Sequence, residues 1–416
     1  MRRLSRLLAG CAAIAAAVVV SGCDTKSNPA APQVPLSRIA VAPRLDTLRV
    51  GAFAQFSATA YDTLGNPVPG VGFRWTSGDA GVFTVNGSGR VLGVGEGTAP
   101  LFVEAGGRRD SAWVTVFPDT GWFQQASGTT AALNGVFFQS DGRHGVAVGA
   151  GGTVVRTADA GATWSRPPSG TTLTLNGVWF TTPDEGWAVG NGGTVIRTLD
   201  GGRTWARLLN VGVGDALFDV WFATPDSGWA VGAAGLILRT FDHGASWQSF
   251  RLPTAFALHD VAFDASGDGW AVGGGGVIAG SHDHGTMWFT TPSLMAQNLE
   301  SVWRTGPNTS WAVGAQGVAP RTVVMPDSVA WELRNVGATR QLQGVHFVTD
   351  LIGYSVGYDA SLGGMVLRSD DGGVTWQAQA SHTGTRLNDV LFVDALHGWA
   401  VGEGGTIIHT ARGGKQ

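Results

Sequence analysis

The residues best suited to chemistry lie in short repeated hairpins. Five segments follow the form Ser/Thr-x-Asp-x-Gly, with a Trp a few residues later. In such a turn the carboxylate accepts backbone N–H bonds from its own loop, and the Gly permits a left-handed backbone. A residue repeated around a fold is structural by default, so we predict that these Asp-boxes stabilise turns and do not catalyse. Their aspartates are Asp159, Asp200, Asp242, Asp283 and Asp371.

Other reactive residues do not combine into a site. His282-Asp283-His284 has a spacing that two zinc-binding imidazoles can use, but no third ligand is evident, which favours a solvated turn. Sialidases need a Tyr–Glu pair, and Tyr354 occupies a Trp position of its repeat, which predicts a core residue. We therefore expect no enzyme, no metal and no cofactor. The alternative is a carbohydrate-active protein, either a glycoside hydrolase of the sialidase or endoglucanase type or a glycan-binding protein.

The composition indicates which elements position these hairpins. The chain of 416 residues contains 64 Gly and 17 Trp with only 14% charged residues, which is typical of many short strands joined by tight turns. The formal net charge of −4 argues against a nucleic-acid partner. Both cysteines lie within the first 23 residues, so the folded body has no disulfide and no Cys-based metal site.

A repeat of 41 to 45 residues organises the C-terminal two thirds of the chain. Each repeat opens with a run of the Leu-x-x-Val-x-Phe type, continues with a strand of the Gly-Trp-Ala-Val-Gly type, and then reaches a third strand, the hairpin and a fourth strand at the Trp. Four strands per repeat predict the blades of a β-propeller. The seven leading residues are Leu133, Leu175, Leu217, Leu258, Leu299, Leu342 and Leu387.

The two ends of the repeat region complement each other. Trp122 precedes the first repeat, whereas the last repeat stops at Thr410 without its Trp. Residues 121–125 can therefore supply the missing outer strand of the last blade and close the ring, leaving no long unpaired edge. We predict an all-β chain whose residues 119–416 form a seven-bladed propeller closed by an N-terminal outer strand.

Residues 37–116 predict a smaller all-β sandwich, because short alternating strands recur there between turn signals. Trp75-Thr76-Ser77, Val82-Phe83-Thr84-Val85 and residues 89–94, closing with Gly97-Thr98-Ala99, resemble the bacterial Ig-like group 2 domain. This resemblance implies a spacer or an adhesive module. We favour the spacer, because no exposed aromatic cluster or charge run marks an adhesive surface.

The N-terminus has the pattern of a targeting segment. Residues 1–22 combine three arginines with an apolar run too short to span a bilayer comfortably, and they end in Val-Ser-Gly before Cys23. This ending resembles the lipobox of bacterial lipoproteins, which implies lipid attachment at Cys23. Residues 23–36 then form a flexible tether. We expect a protein anchored in the cell envelope, periplasmic or surface-exposed; a simple secreted protein or an uncleaved anchor is the alternative.

The repeat motifs together indicate a family. Gly-Trp-Ala-Val-Gly, Gly-Gly-Thr-Val-Ile-Arg-Thr and Asp-Gly-Gly-x-Thr-Trp resemble the photosystem II stability and assembly factors, over residues 121–414. The resemblance implies a seven-bladed, non-catalytic scaffold that binds a protein client, in that family during membrane-protein assembly. The identity of the client does not carry over.

Residues that differ between the repeats are the candidates for binding. The polar positions just after each leading Leu are uneven around the ring and face the channel of the predicted propeller. Four arginines before the Ser/Thr of the Asp-boxes form a second candidate, a basic patch for an acidic or membrane-associated client. The candidate binding residues are Arg156, Arg197, Arg239, Arg368, Asp219, Asp260, His259, Glu300 and Asp389.

Replacing Cys23 with Ser tests the predicted anchor. We expect Cys23→Ser to lose incorporated radiolabelled fatty acid and to leave the membrane fraction. Cys11→Ser is the matched control, because Cys11 also follows a short Leu-Ala-Gly motif but lies before the apolar run. A Cys23→Ser protein that keeps its lipid label would contradict the lipoprotein prediction.

Overall fold

The structure is a computed structural model that describes residues 35–50, 52–117, 121–208, 212–264, 266–291, 295–306, 308–325, 328–337, 339–361 and 363–414. The predicted signal peptide, Cys23 and nearly all of the tether lie outside these residues. No helix within the described ranges is long and apolar enough to cross a bilayer.

The N-terminal domain contains three sheets, in the strand orders β1-β4, β2-β9-β8-β5 and β3-β7-β6. They share an apolar core that includes Phe56, Phe83, Leu101 and Val114, all fully buried. β2 and β9 pair in parallel, whereas the other strand pairs of this domain are antiparallel. The strands are β1 (Leu36–Ala42), β2 (Leu45–Arg49), β3 (Phe53–Gln55), β4 (Ser57–Asp62), β5 (Arg74–Ser77), β6 (Phe83–Val85), β7 (Arg90–Gly93), β8 (Gly97–Ala105) and β9 (Arg108–Phe117).

The described residues after 120 form seven antiparallel sheets, called sheets 1 to 7 in the order of the repeats. A strand upstream of the first repeat belongs to the last of these sheets. This strand is β10 (Phe123–Gln125). The strands of sheets 1 to 4 are β11 (Leu133–Phe138), β12 (Gly145–Gly149) and β13 (Thr153–Thr157); β14 (Leu175–Phe180), β15 (Gly186–Gly190), β16 (Thr194–Thr198) and β17 (Ala206–Arg207); β18 (Leu217–Phe222), β19 (Gly228–Gly232), β20 (Leu236–Thr240) and β21 (Gln248–Arg251); β22 (Leu258–Phe263), β23 (Gly269–Gly273), β24 (Ile278–Ser281) and β25 (Phe289–Thr290).

The remaining sheets continue the same arrangement. The strands of sheets 5 to 7 are β26 (Leu299–Gly306), β27 (Thr309–Gly314), β28 (Arg321–Met325) and β29 (Ser328–Glu332); β30 (Arg340–Phe347), β31 (Gly353–Asp359), β32 (Gly363–Ser369) and β33 (Gln377–Gln379); β34 (Leu387–Phe392), β35 (His397–Gly402) and β36 (Ile407–Ala411). Short 3₁₀ turns join the second and third strands at Ala150–Gly152, Asn191–Gly193, Ala233–Gly235, Gly274–Gly276, Ala315–Gly317 and Glu403–Gly405.

Sheet 1 departs from the predicted four strands. The segment after Trp164 makes only an isolated bridge between Arg156 and Ser165. Pro167 and Pro168 follow, and proline has no N–H to donate to a ladder, so the fourth strand cannot extend.

The repeated glycines are required by close backbone contacts. A Cβ atom on Gly149, at the end of β12, would lie 1.9 Å from the carbonyl oxygen of Ala132, and each of the other second strands has a glycine with the same restriction, at its end or, in sheet 6, within it at Gly357. The second strands are fully buried, because they are covered within their own sheet and by a neighbouring sheet. Their sequence is therefore continuously apolar rather than alternating.

Aromatic rings hold adjacent sheets together. At five junctions among the described sheets, a ring on the second strand of one sheet stacks on the Phe that ends the first strand of the next sheet. The ring centroids are 4.2 Å apart for Trp187 and Phe222, and 3.8 Å apart for Trp229 and Phe263. Each offset or stacked aromatic pair stabilises a fold by about 0.5–1.5 kcal/mol beyond the free energy gained from the area that it buries.

The same contact joins the two ends of the repeat region. Trp399 of sheet 7 stacks on Phe138 of sheet 1 at 3.7 Å. β10 pairs antiparallel with β36, with Phe123 opposite His409, and gives sheet 7 its fourth strand. Trp122, just before β10, is fully buried and donates from Nε1 to Oε1 of Gln379 at 2.8 Å.

Truncating Trp122 tests how much this junction stabilises the fold. We expect Trp122→Ala to cost about 3–5 kcal/mol of unfolding free energy, because a large buried side chain is replaced by a cavity. Trp113→Ala is the control, since that Trp is 47% exposed. Calorimetric unfolding should show a large loss for the first variant and a small one for the second. Equal melting temperatures for wild type and Trp122→Ala would contradict the role of this junction.

Candidate functional site

Each first strand of sheets 1 to 7 has a β-bulge just after its leading Leu. In sheet 1 the pairing shifts between Leu133 and Gly135, so Asn134 has no cross-strand partner. The same shift occurs in the other six sheets. A bulge redirects the extra side chain, and here the side chains around it line one small pocket. This channel ring includes Asn134, Asn176, Phe218, Asp219, His259, Asp260, Glu300, Ser301, Gln343, Asn388 and Asp389.

Donors in the channel ring reach from one sheet to the next. The Nδ2 of Asn176 donates to the carbonyl oxygen of Leu217 at 2.7 Å, and Asn134 and Asn388 make the same contact to the following sheet. His259 uses Nδ1 in the same way, 2.9 Å from the carbonyl oxygen of Leu299. Its Nδ1 also lies 2.9 Å from Oε2 of Glu300. Burial opposes the charged imidazole, but the Glu300 carboxylate outweighs it and raises the pKa of His259.

Acceptors in the channel ring make the complementary contacts. Oδ2 of Asp389 accepts from the backbone N–H of Val136 at 2.9 Å, which connects sheet 7 to sheet 1. Oδ2 of Asp260 accepts from the N–H of Val302 at 2.8 Å, which connects sheet 4 to sheet 5. Four of the five predicted channel residues thus contact a neighbouring sheet or the neighbouring ring residue, namely His259, Asp260, Glu300 and Asp389, and the carboxyl of the fifth, Asp219, interacts with that of Asp260.

The carboxyl groups of the channel ring have unusual proton affinities. Burial raises the pKa of Asp219 well above its usual value, and the nearby charge of Asp260 adds to the rise. The interaction between these two carboxyls raises the pKa of Asp219 and opposes the rise for Asp260, so it favours the proton on Asp219. Burial also raises the pKa of Asp260, and it raises the pKa of Asp389 to about 7.

The channel ring encloses little space. Its pocket has a volume of about 120 Å³, whereas pockets for small organic ligands span roughly 300–1,000 Å³. The pocket has room for a few water molecules. A macromolecular client can contact the ring only at its rim.

The four predicted arginines also connect neighbouring sheets. Nη1 of Arg239 donates to the carbonyl oxygen of Gly285 at 3.2 Å, in the Asp-box of the next sheet. Arg156 and Arg368 make similar bonds to the residue one position earlier in the turn, to the carbonyl oxygens of Gly201 at 2.6 Å and Gly413 at 2.8 Å. Arg368 is only 6% exposed, so it contributes little to a surface patch.

Arg197 differs from the other three because a carboxylate holds it. It forms an ion pair with Glu185, and its guanidinium lies 5.4 Å from the ring centroid of Trp187. Arg156, Arg197 and Arg239 remain partly exposed on three consecutive sheets.

A fifth arginine of this set was not predicted. Arg321 stands at the same position in sheet 5, opposite Trp311, and donates to the carbonyl oxygen of Gly372 at 3.3 Å. The sequence feature that could have identified Arg321 is the Arg-Thr pair, which sheet 5 shares with sheets 1 to 3. Sheet 5 lacks the Asp-box that normally follows, which hides the equivalence. Sheets 4 and 7 have Gly280 and His409 at this position.

The Asp-box carboxylates make local contacts. Oδ1 of Asp159 accepts from the N–H of Thr163 at 2.9 Å and from the hydroxyl of Thr157 at 2.7 Å. The Thr157 hydroxyl in turn accepts from the N–H of Gly161. The carboxylates of the other four boxes make closely similar bonds at Asp200, Asp242, Asp283 and Asp371.

The residues considered for catalysis or metal binding lie in structural contacts. The Tyr354 side chain is fully buried, and its hydroxyl donates to the carbonyl oxygen of Gly413 and contacts Arg368. Burial raises the pKa of Tyr354 to about 12, which keeps the phenol neutral. His282 interacts with Asp268 through Nδ1. Within the described ranges, no three His, Cys, Asp or Glu side chains are grouped as a metal site requires.

Comparison with known proteins relates these sheets to a family. A family model described as photosynthesis system II assembly factor YCF48 matches residues 115–210 and 323–416. A structure described as YCF48 bound to D1 peptide is 23% identical, with a TM-score of 0.58 over 71% of this chain and 96% of that one. The C-terminal domain is a YCF48-like β-propeller. Its sheets are therefore blades, and the stacked aromatic pairs are contacts between blades.

Other comparisons support the same fold. YCF48 from Cyanidioschyzon merolae is 23% identical, with a TM-score of 0.58 over 70% of this chain and 98% of that one. The WD40 propeller domain of Doa1 is 10% identical, with a TM-score of 0.56 over 70% of this chain and 96% of that one. At these identities the likeness establishes the fold alone. No curated protein is significantly similar to the chain in sequence.

Asp389 should make stability depend on pH. The folded propeller keeps a proton on this carboxyl up to about pH 7, whereas the unfolded chain loses it near pH 4. Unfolding therefore releases this proton between about pH 4 and 7, and the contribution of Asp389 to stability falls as the pH rises through that window. We expect urea unfolding of Asp389→Asn to show a shallower fall between pH 5 and 8 than the wild type.

Asp200→Asn is the control, because the pKa of Asp200 is shifted in the opposite direction to that of Asp389. Burial opposes ionisation of Asp200, but hydrogen bonds from Thr204 dominate and lower its pKa to about 2. The stability that this carboxylate contributes is complete above about pH 4 and is lost only in acid. Asp200→Asn should therefore lower stability equally at pH 5 and pH 8. An unchanged slope in Asp389→Asn would contradict the raised pKa.

Proposed function

We propose that this protein is a non-catalytic scaffold of the cell envelope whose propeller binds a protein client. The observation that carries this proposal is the similarity of the propeller to YCF48, one structure of which is described as bound to D1 peptide. The matched family model is that of an assembly factor, so we propose a membrane-associated client during its assembly. We propose that a lipid on Cys23 anchors the chain, on the periplasmic or the outer surface.

The architecture proposed for this role has three parts. A tether leads from the anchor to an Ig-like spacer, which holds the propeller away from the membrane. The seven sheets form one closed ring, a proposal supported by the pairing of β10 with β36 and by the Trp399–Phe138 stack. A closed ring leaves only short outer edges and holds its loops in fixed positions, which suits recognition by a preorganised surface.

The contacts of the polar residues support binding rather than catalysis. The Asp-box carboxylates accept hydrogen bonds within their own turns, and Asp260 and Asp389 accept bonds from neighbouring blades. A general acid or a nucleophile must instead be free to reach a substrate atom. The small channel volume also disfavours a sugar ring at these carboxyls.

The proposed contact surface comprises Arg156, Arg197 and Arg239, called the arginine edge. They lie on three consecutive blades, and each remains partly exposed. Arg156 and Arg239 are held by backbone carbonyls of the next blade, and Arg197 by a carboxylate and an aromatic ring. Guanidinium groups positioned in this way can bind a carboxylate-bearing client with little loss of side-chain entropy.

Neutralising the arginine edge tests this proposal. Arg156→Gln/Arg197→Gln/Arg239→Gln should retain less of a client captured from detergent-solubilised envelopes, about tenfold less at 50 mM salt, because exposed charges act through screened Coulomb attraction. The control Arg74→Gln/Arg90→Gln/Arg109→Gln removes the same charge from the N-terminal domain and should capture normally. Captured proteins are identified by mass spectrometry, and circular dichroism checks that each variant folds.

A polysaccharide array and a hydrolysis assay test the alternative. Equal capture by the triple variant would exclude the arginine edge and direct attention to Asp219, Asp260, Glu300 and Asp389. Hydrolysis of a glycan by the purified protein, lost on substitution of one of those carboxyls, would replace the scaffold proposal with the enzyme.

A further inference from the structure

Five blades have an arginine on the third strand that lies between blades, and sheets 4 and 7 do not. At the position of Arg156, Arg239 and Arg368, sheet 7 has His409. In four other blades the guanidinium of Arg156, Arg239, Arg321 or Arg368 donates to a carbonyl in the corresponding turn of the next blade, and the corresponding carbonyl here is that of Ala160 in sheet 1. The shorter imidazole forms no hydrogen bond with it. Ala160 accepts instead from Nε2 of Gln125 at 2.8 Å and Nε1 of Trp399 at 3.2 Å.

A cavity of about 570 Å³ lies where this arginine is missing. We call it the seam cavity, because residues of sheet 7, sheet 1, β10 and the N-terminal domain line it. Its volume falls within the range of roughly 300–1,000 Å³ that small-molecule pockets occupy. In sheet 4, where the same position is Gly280, the ring of Phe289 fills the equivalent space. The seam cavity has no such filling.

His409 forms part of the wall and has unmet hydrogen-bonding capacity. Its side chain is only 5% exposed, and neither ring nitrogen has a hydrogen-bond partner among the described residues. The ring stacks on Trp399 at 4.4 Å and meets Phe123 edge-on at 4.9 Å. Phe117 of the N-terminal domain stacks on Phe123 at 3.7 Å. One end of the cavity is therefore aromatic.

The polar wall of the seam cavity is acidic. Glu96, Asp141, Asp159 and Asp394 line it, and none of the described lining residues is Lys or Arg. Burial opposes ionisation of Asp141 and Asp394, but backbone N–H bonds outweigh it and lower both pKa values. His397 is the lining histidine that pairs with one of these carboxylates, Asp394. An aromatic end and an acidic wall together favour a cation on an apolar stem.

We propose that the seam cavity binds a guanidinium or ammonium group carried on an apolar stem. The ligand's cation then occupies the region that an arginine fills in sheets 1, 2, 3, 5 and 6, near the carbonyl of Ala160 and the acidic wall. Its stem lies against Phe117, Phe123 and Trp399. Such a group occurs in free alkyl amines and guanidines and in the basic side chains of peptides. This site is separate from the arginine edge, whose positive charge suits an anionic ligand.

Calorimetric titration of the purified protein with matched cation and neutral probes tests the proposal. The free-ligand pair is n-butylguanidinium and n-butylurea, and the peptide pair is acetyl-Leu-Arg-Leu-amide and its citrulline analogue. Each neutral member has nearly the shape of its partner without the charge. We expect the cation of at least one pair to bind at least tenfold more tightly than its neutral partner. Preference confined to the first pair identifies a free ligand, and preference confined to the second a peptide.

Two variants locate the binding. Glu96→Gln should weaken cation binding at least threefold, whereas Glu104→Gln, the same change outside the cavity in the N-terminal domain, should not. His409→Arg introduces the residue of sheets 1, 2, 3, 5 and 6 and should abolish binding by filling the cavity with a tethered guanidinium. The melting temperature of His409→Arg shows whether this variant folds. If it does not fold, Glu96→Gln alone tests whether the cation binds in the seam cavity. Equal binding of cation and neutral probes, or equal cation binding by Glu96→Gln and wild type, would overturn the proposal.

Discussion

Aromatic stacking between neighbouring blades is the interaction on which the rest of this propeller depends. A four-stranded sheet with apolar residues on both faces cannot bury them alone, so every blade needs a neighbour on each side. The Trp187–Phe222 and Trp399–Phe138 stacks provide this burial with the same geometry at ordinary positions and at the junction of the chain ends. Because the rings fix the distance between blades, the polar groups at the channel and at the outer edge can reach across with short hydrogen bonds.

In the channel ring, the residue type in one blade is restricted by the groups that the next blade brings close to it. A Cβ on Gly177 would lie 2.8 Å from Oδ1 of Asp219, and a Cβ on Gly135 would lie 2.8 Å from the carbonyl oxygen of Asn176. Small residues therefore occur where the next blade brings a polar group close. At the same position of other blades stand Asp260 and Asp389. Their carboxylates accept hydrogen bonds from backbone N–H groups of the next blade. The unevenness of the ring thus has a structural cause alongside any role in recognition.

Much of the fold could be predicted from the sequence, because the repeat length, the apolar second strand and the hairpin chemistry are local signals that recur. The strand at Phe123 was predicted from the phase of Trp122 alone. Contacts between repeats were harder to predict, since they depend on how adjacent sheets are offset. The link from His259 to Leu299, the fifth arginine at Arg321 and the reduced fourth strand of sheet 1 all belong to this class. The seam cavity was also missed, because it results from a substitution in one blade and from packing by another domain.

The pairing of β10 with β36 has a consequence for the order in which the chain is made. Phe123 leaves the ribosome about 290 residues before its partner His409, so the last blade cannot be completed until His409 has also been made. Contacts so distant in sequence slow folding, because the intervening chain must be ordered before they form. The N-terminal domain has no such requirement and can fold early. Sheet 7 therefore gains its fourth strand only after β36 has been synthesised, and until then its outer edge stays unpaired.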